Sequence, residues 1–223
     1  MGRAIAASLA RGVTLGLLAL APGPASGFGH LWVFTEVYSN ADGSVQFLEL
    51  FTDDPGEGLL GFMFLASLAT GGEYHFPNDL GGSTQNRHLL VATAAFASQP
   101  GAVTPDYILP DGFLRSAGDT LTFSNEPIVG IPFLPYTDTQ AWDSVAFGGS
   151  SSALPTDGVY SLHRAFGSAD LVAAPNSPTN FAGAVGSLVP EPDSALLLAG
   201  GLAGLALGRS RGSRPWLSRP PVA

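Results

Sequence analysis

Four histidines, His30, His75, His88 and His163, are the side chains best suited to metal or acid–base chemistry. They are widely scattered. None has a second histidine or a carboxylate at helical metal spacing, and His-Glu-x-x-His is absent, so they read as strand and loop residues. The carboxylates come closer to a constellation. Asp53, Asp54 and Glu57 share one turn, with Asp42 in the neighbouring one, and hard oxygen ligands on loops suit calcium. The EF-hand spacing and the glycine-aspartate nonapeptides are missing, however, and a solvated acidic turn accounts for the same residues. Paired carboxylates also serve glycoside hydrolysis, which needs one acid and one base or nucleophile at a set separation. Asp106 and Asp111 are the loop carboxylates to test for that role. Glu36 and Glu49 fall on adjacent predicted strands, where a cross-strand hydrogen bond or an ion pair with Arg87 is the expected role. Gly149-Ser150-Ser151-Ser152 lacks the second glycine of a nucleophile elbow. No glycine-rich loop follows a strand and opens a helix, so nucleotide phosphates have no cradle. Tyr107, Phe113, Tyr136 and Trp142 lie in or beside long loops near Asp106, Asp111 and Asp138. They would either stack on sugar faces or plug the ends of the fold. The expectation is a chain with no catalytic residue, no metal and no cofactor.

The elements that must carry these side chains are short apolar runs cut by turn signals, without a long helical period; that is the mark of an all-β sandwich. Strands are expected at Leu31 to Tyr38, Val45 to Phe51, Gly61 to Leu68, Tyr74 to Phe76, Leu89 to Ala94, Leu121 to Ser124, Trp142 to Phe147 and Tyr160 to His163. Asn40-Ala41-Asp42-Gly43 makes a hairpin turn between the first two. Leu89 to Ala94 is apolar on both faces and reads as a buried central strand. The proline-rich intervals Gln99 to Arg115 and Glu126 to Gln140 read as the long loops on which a site would be mounted.

Charge narrows the partners. Of the 18 acidic residues all but Glu191 and Asp193 lie between residues 28 and 188, whereas only Arg87, Arg115 and Arg164 of the basic residues do. Such a surface repels phosphate backbones, which excludes nucleic acid as a partner. The chain has no cysteine, so disulfides, thiol catalysis and thiolate metal sites are excluded, and the body must be held by its core alone.

The two ends read as addresses. Arg3 and Arg11 precede an apolar run from Val13 to Ala21, then Pro22, Pro24 and small residues; residues 1–27 form a secretory signal peptide. At the other end Val189-Pro190-Glu191-Pro192-Asp193 leads into an uncharged run from Ala195 to Gly208, then Arg209, Arg211 and Arg214. As a helix the run covers roughly 20 Å, short of the roughly 30 Å hydrocarbon core, so it makes a marginal anchor. The arginines behind it favour the cytoplasmic side and leave the body outside. Gly200, Gly204 and Gly208 would share one helix face, open to close approach by another membrane helix.

This order of Pro-Glu-Pro, apolar helix and basic stop resembles the PEP-CTERM sorting tail of exopolysaccharide-producing Gram-negative bacteria. Val189, Pro190, Glu191 and Pro192 match its motif, and Arg209 and Arg211, split by Ser210, match its basic end. The resemblance implies recognition by an exosortase, a membrane cysteine protease that cuts near Pro-Glu-Pro, after which the product is released or attached outside. Residues 215–223 run past the usual stopping point as a disordered tail. The division is therefore 1–27 signal peptide, 28–187 body, 188–214 sorting tail and 215–223 extension.

The body carries a second resemblance. Phe34-Thr35-Glu36-Val37, the Asp42-Gly43 turn and Phe47-Leu48-Glu49-Leu50 are similar to the opening hairpin of lamin-tail domains. Phe76-Pro77, Asn86-Arg87-His88-Leu89-Leu90-Val91-Ala92, Pro105-Asp106-Tyr107, Pro110-Asp111-Gly112-Phe113-Leu114, Asp143-Ser144-Val145 and Asn176-Ser177-Pro178-Thr179-Asn180-Phe181 follow in the family's order. The resemblance implies an immunoglobulin-like β-sandwich that serves as a binding or adhesion module on exported bacterial proteins. Leu59 to Leu68 is apolar where that family commonly has a polar strand, which suggests cover from an extra loop. The resulting expectation is an exported, non-enzymatic surface or matrix module, with exopolysaccharide or surface proteins as partners. A secreted polysaccharide hydrolase and a calcium-dependent adhesin are the alternatives.

Overall fold

The computed structural model describes residues 28–127, 138–149 and 152–188. The predicted signal peptide, the sorting residues Val189, Pro190, Glu191, Pro192, Arg209 and Arg211, and the extension lie outside those residues, as do Tyr136, Ser150 and Ser151. Among the described residues no helix is long and apolar enough to cross a membrane.

The body is all-β and built of two sheets. Ten strands are described: β1 Val33–Ser39, β2 Gln46–Thr52, β3 Met63–Ser67, β4 Glu73–His75, β5 Arg87–Thr93, β6 Tyr107–Leu109, β7 Gly118–Asn125, β8 Gln140–Gly148, β9 Tyr160–Arg164 and β10 Leu171–Pro175. One helical turn, α1 Ala94–Ala97, follows β5. The larger sheet runs β10-β9-β1-β2-β5-β6 and the smaller β4-β3-β7-β8. All eight sequence-predicted strands form. The two missed strands have evident reasons. Strand β6 is three residues long and pairs parallel with β5 inside a proline-rich interval, where turn residues mask it. In β10 the burial alternation is lost at the sheet edge, so no period marks it.

Between the sheets lies the main core, with Trp32, Phe34, Leu48, Leu50, Leu65, Leu89, Val91, Leu121 and Phe123 all at 1 % exposure or less. The larger sheet is also covered on part of its outer face. There Tyr38, Val45, Phe47, Leu90, Ala92, Phe96 and Leu188 form a second cluster. That explains the unbroken apolar run in β5: Leu89 and Val91 face the main core, and Leu90 and Ala92 face the outer cluster. The cover is α1 and the closing segment, residues 176–188. In the smaller sheet β3 sends Met63 and Leu65 inward, and Phe64 is stacked against the His75 ring at 5.2 Å.

Candidate functional site

A single extra residue decides where the charged side chains go. Phe34 and Glu36 would share a face in a regular strand, because side chains alternate. The β1–β2 register shifts between them, so Phe34 enters the main core while Glu36 turns to the outer face with Tyr38. Glu36 lands directly opposite Glu49 on β2, and opposite His163 on β9. His88 on β5 joins the same face opposite Phe51. Two glutamates, 2 % and 4 % exposed, therefore stand side by side between two histidines.

Each carboxylate is held by several donors. Glu36 Oε1 accepts from Ser161 Oγ at 2.6 Å and from the Ser177 amide at 3.0 Å, and Oε2 accepts from Ser177 Oγ at 3.3 Å. Glu49 Oε1 accepts from Thr35 Oγ1 and His88 Nδ1, both at 2.8 Å, and Oε2 accepts from the Thr179 amide at 2.6 Å. The expected ion pair with Arg87 is not formed. Arg87 is exposed at the start of β5; it donates to the Phe181 carbonyl and lies 5.8 Å from the Phe181 ring centre. Hydroxyls and amides of the closing segment stand where a guanidinium was expected, a cheaper arrangement because no second ion has to be buried.

Ser161, His163 and Glu36 have the residue types of a hydrolytic triad, but the wrong connectivity. The Ser161 hydroxyl donates its hydrogen bond to Glu36, and His163 Nε2 donates to the Pro175 carbonyl at 3.1 Å as well as to Ser161 Oγ at 2.9 Å. A histidine whose Nε2 is already a donor cannot take the serine proton there. Ser161 is also fully buried, out of reach of a substrate.

The other candidates are dispersed. Asp106 ties two segments, accepting from the Leu90 amide at 2.8 Å and the Phe181 amide at 2.9 Å, whereas Asp111 is exposed on the following turn. Burial raises the Asp106 pKa against those two lowering contacts. Asp42 closes its own turn by accepting from the Ser44 amide and hydroxyl. Glu57 is buried, accepts from the Leu31 amide at 2.8 Å, and has its pKa raised by burial. Asp54 accepts from the Gly56 amide, and Asp53 is exposed. Among the described residues no three His, Asp or Glu side chains gather closely enough to hold a metal ion. Tyr107 and Phe113 belong to the main core, and Trp142 packs against it with its indole N–H bonded to Asn125. No family model, curated protein or solved structure matches this chain.

Above the two glutamates the outer face opens into a groove of about 690 Å³, lined by Phe51, His88, His163, Phe166, Asp170 and Val172 among others. The β9–β10 turn forms one wall and the start of the closing segment the other. Sequence reasoning named Glu36 and Glu49 but not the groove, because nothing local links residue 51 to residue 166.

Burial pushes the Glu36 pKa up from 4.5 to about 7, despite the hydrogen bonds from Ser161 and Ser177 that pull it down. A raised carboxylate pKa stabilises the fold below its unfolded value, and that contribution is lost as pH rises through the folded value. Between pH 4.5 and about 7 the body thus loses about 3 kcal/mol from this one group. Glu36→Gln keeps an oxygen for Ser161 and the Ser177 amide, and its amino group faces a Ser177 hydroxyl able to accept. The variant should melt higher than the parent at about pH 8.5 and with little difference at about pH 5. Parallel thermal melts at the two pH values check this; an equal gap at both would mean that Glu36 does not titrate in that window.

Proposed function

We propose that this chain is an exported surface or matrix protein whose body is a lamin-tail-type, immunoglobulin-like sandwich acting as a non-enzymatic binding module. In this reading residues 1–27 direct export. The Val189 to Pro192 motif, the apolar run and Arg209 and Arg211 then hold the chain in the membrane until an exosortase removes them. The two end segments support it by their order of charge, proline and apolar length. The body supports it through one observation: its buried acids are fasteners. Glu36, Glu49, Glu57 and Asp119 each accept from backbone amides, and no buried side-chain nitrogen or oxygen among the described residues lacks a partner. A general acid or nucleophile needs a face turned to its substrate, and these carboxylates are turned to their own chain.

The reading is tested by mixing the purified exported protein with the host's own exopolysaccharide. Co-sedimentation without new reducing ends is the expected result. Reducing ends that accumulate with the parent, and fail to accumulate with Asp106→Asn or Glu36→Gln, would make the protein a hydrolase.

A further inference from the structure

The groove on the outer face joins features that a fold-stabilising role leaves unused. Phe166 at the tip of the β9–β10 turn is 51 % exposed, and Val172 beside it is 62 % exposed. Phe166 does not cover a core. It meets Phe51 edge to face, with centroids 5.3 Å apart and planes at 77°, and Phe51 in turn lies 4.9 Å from the His88 ring. The result is an aromatic corner open to solvent. Its floor is the Glu36–Glu49 pair and its lip carries the exposed Asp170.

Charge sets the sign of the ligand. Between residues 28 and 188 there are 16 acidic and 3 basic residues (18 less Glu191 and Asp193; Arg87, Arg115 and Arg164), a net of about −13. The one arginine lining the groove, Arg164, is already paired with Asp143. An anionic ligand would therefore meet the exposed Asp170 and a strongly acidic surface, with no unpaired arginine among the described lining residues to receive it. A cationic one would gain from the exposed Asp170 carboxylate at the lip and from the electron-rich ring faces.

Shape sets the rest. A cleft of about 690 Å³ falls within the range of small-ligand sites. A pyranose ring has an apolar C–H face that lies flat on an aromatic ring, and a polar rim that suits Thr35, Ser168 and the imidazole edges along the walls. We propose that the groove binds an amino-sugar unit of a cationic polysaccharide, with its ring against Phe166 and Phe51 and its ammonium beside Asp170. The proposal rests on the reading of the body as a binding module and specifies what that module binds.

The test is calorimetric titration of the purified exported protein with three probes: a glucosamine oligomer, its fully N-acetylated counterpart and an oligogalacturonate. The glucosamine oligomer should bind at least about tenfold more tightly than either of the others, and more weakly as salt is added. Phe166→Ala and Asp170→Asn, both at exposed positions, should each weaken it by about three- to tenfold with an unchanged melting temperature. Equal affinity for the N-acetylated oligomer, undiminished binding by Phe166→Ala, or no binding of the glucosamine oligomer overturns the proposal. None of those results touches export or tail removal, which stand or fall on the mass of the exported product.

Discussion

A chain ending at Pro175 is expected not to fold, whereas one ending at Leu188 melts cooperatively. The thirteen residues between them contain no strand, yet they close the outer face. Ser177 and Thr179 donate to Glu36 and Glu49, and the Phe181 amide donates to Asp106. Leaving a buried acceptor without its donors costs about 1–3 kcal/mol each, and more where the acceptor is ionised. Three such anchors approach the whole stability of a domain, about 5–15 kcal/mol, before lost packing is counted. Packing is lost too. Leu188, 5 % exposed, completes the outer cluster, and its amide and carbonyl are both bonded to the Asn176 side chain. Gly101 shows how close the fit is: an added Cβ there would come within 2.1 Å of the Ser187 carbonyl oxygen. Circular dichroism during heating decides the matter. A sigmoidal melt from the shorter chain, within a few degrees of the longer one, would reduce the segment to an ornament.

Arg164→Met is expected to cost about 3–5 kcal/mol, the range for breaking one partner of a buried ion pair. Phe34 pairs with Leu50 on β2, while on the β9 side the strand pairing covers only Glu36 and Val37, and side chains take up the Phe34 amide and carbonyl. Asp143 on β8 accepts from that amide at 2.7 Å, and Arg164 Nε donates to that carbonyl at 2.8 Å. Arg164 also donates to the Ser144 carbonyl at 3.0 Å and to Asp143 itself. One arginine thus bonds the Phe34 carbonyl, pairs the acid and stitches the smaller sheet to the larger. Its side chain is 10 % exposed and that of Asp143 14 %, so solvent screens the pair weakly. Adding Asp143→Asn to Arg164→Met removes the stranded charge but keeps an acceptor for Phe34, and should recover part of the loss. Chemical denaturation of the parent and the two variants checks this; an Arg164→Met variant within about 1 kcal/mol of the parent would place the pair with ordinary surface bridges.

These two features mark what the sequence made legible and what it hid. The Asn40 to Gly43 turn, the first hairpin and the doubly buried β5 follow from local pattern, since period and turn chemistry act over a few residues. Glu36 and Glu49 could be placed on adjacent strands for the same reason. Their partners could not, because Ser177 and Thr179 lie more than a hundred residues away along the chain. An arginine nearer in sequence, Arg87, was the obvious counter-charge, and a pair of hydroxyl and amide donors took its place. The Arg164–Asp143 stitch was hidden because it joins strands of different sheets, 21 residues apart, which no local period relates. In hindsight the Asn176 to Asn180 run, dense in amide and hydroxyl groups, carried the signal for a segment that fastens buried acceptors.

The delivery account and the closing segment meet at one place in the chain, directly after Leu188. Intact-mass spectrometry of the product exported by its native host reads that place directly. A polypeptide that begins near Phe28 and ends after Leu188 but before Ala195 is the predicted result. A product that still carries residues 195–208 would contradict the temporary anchor, and one that ends before Asn176 would contradict the fold as described.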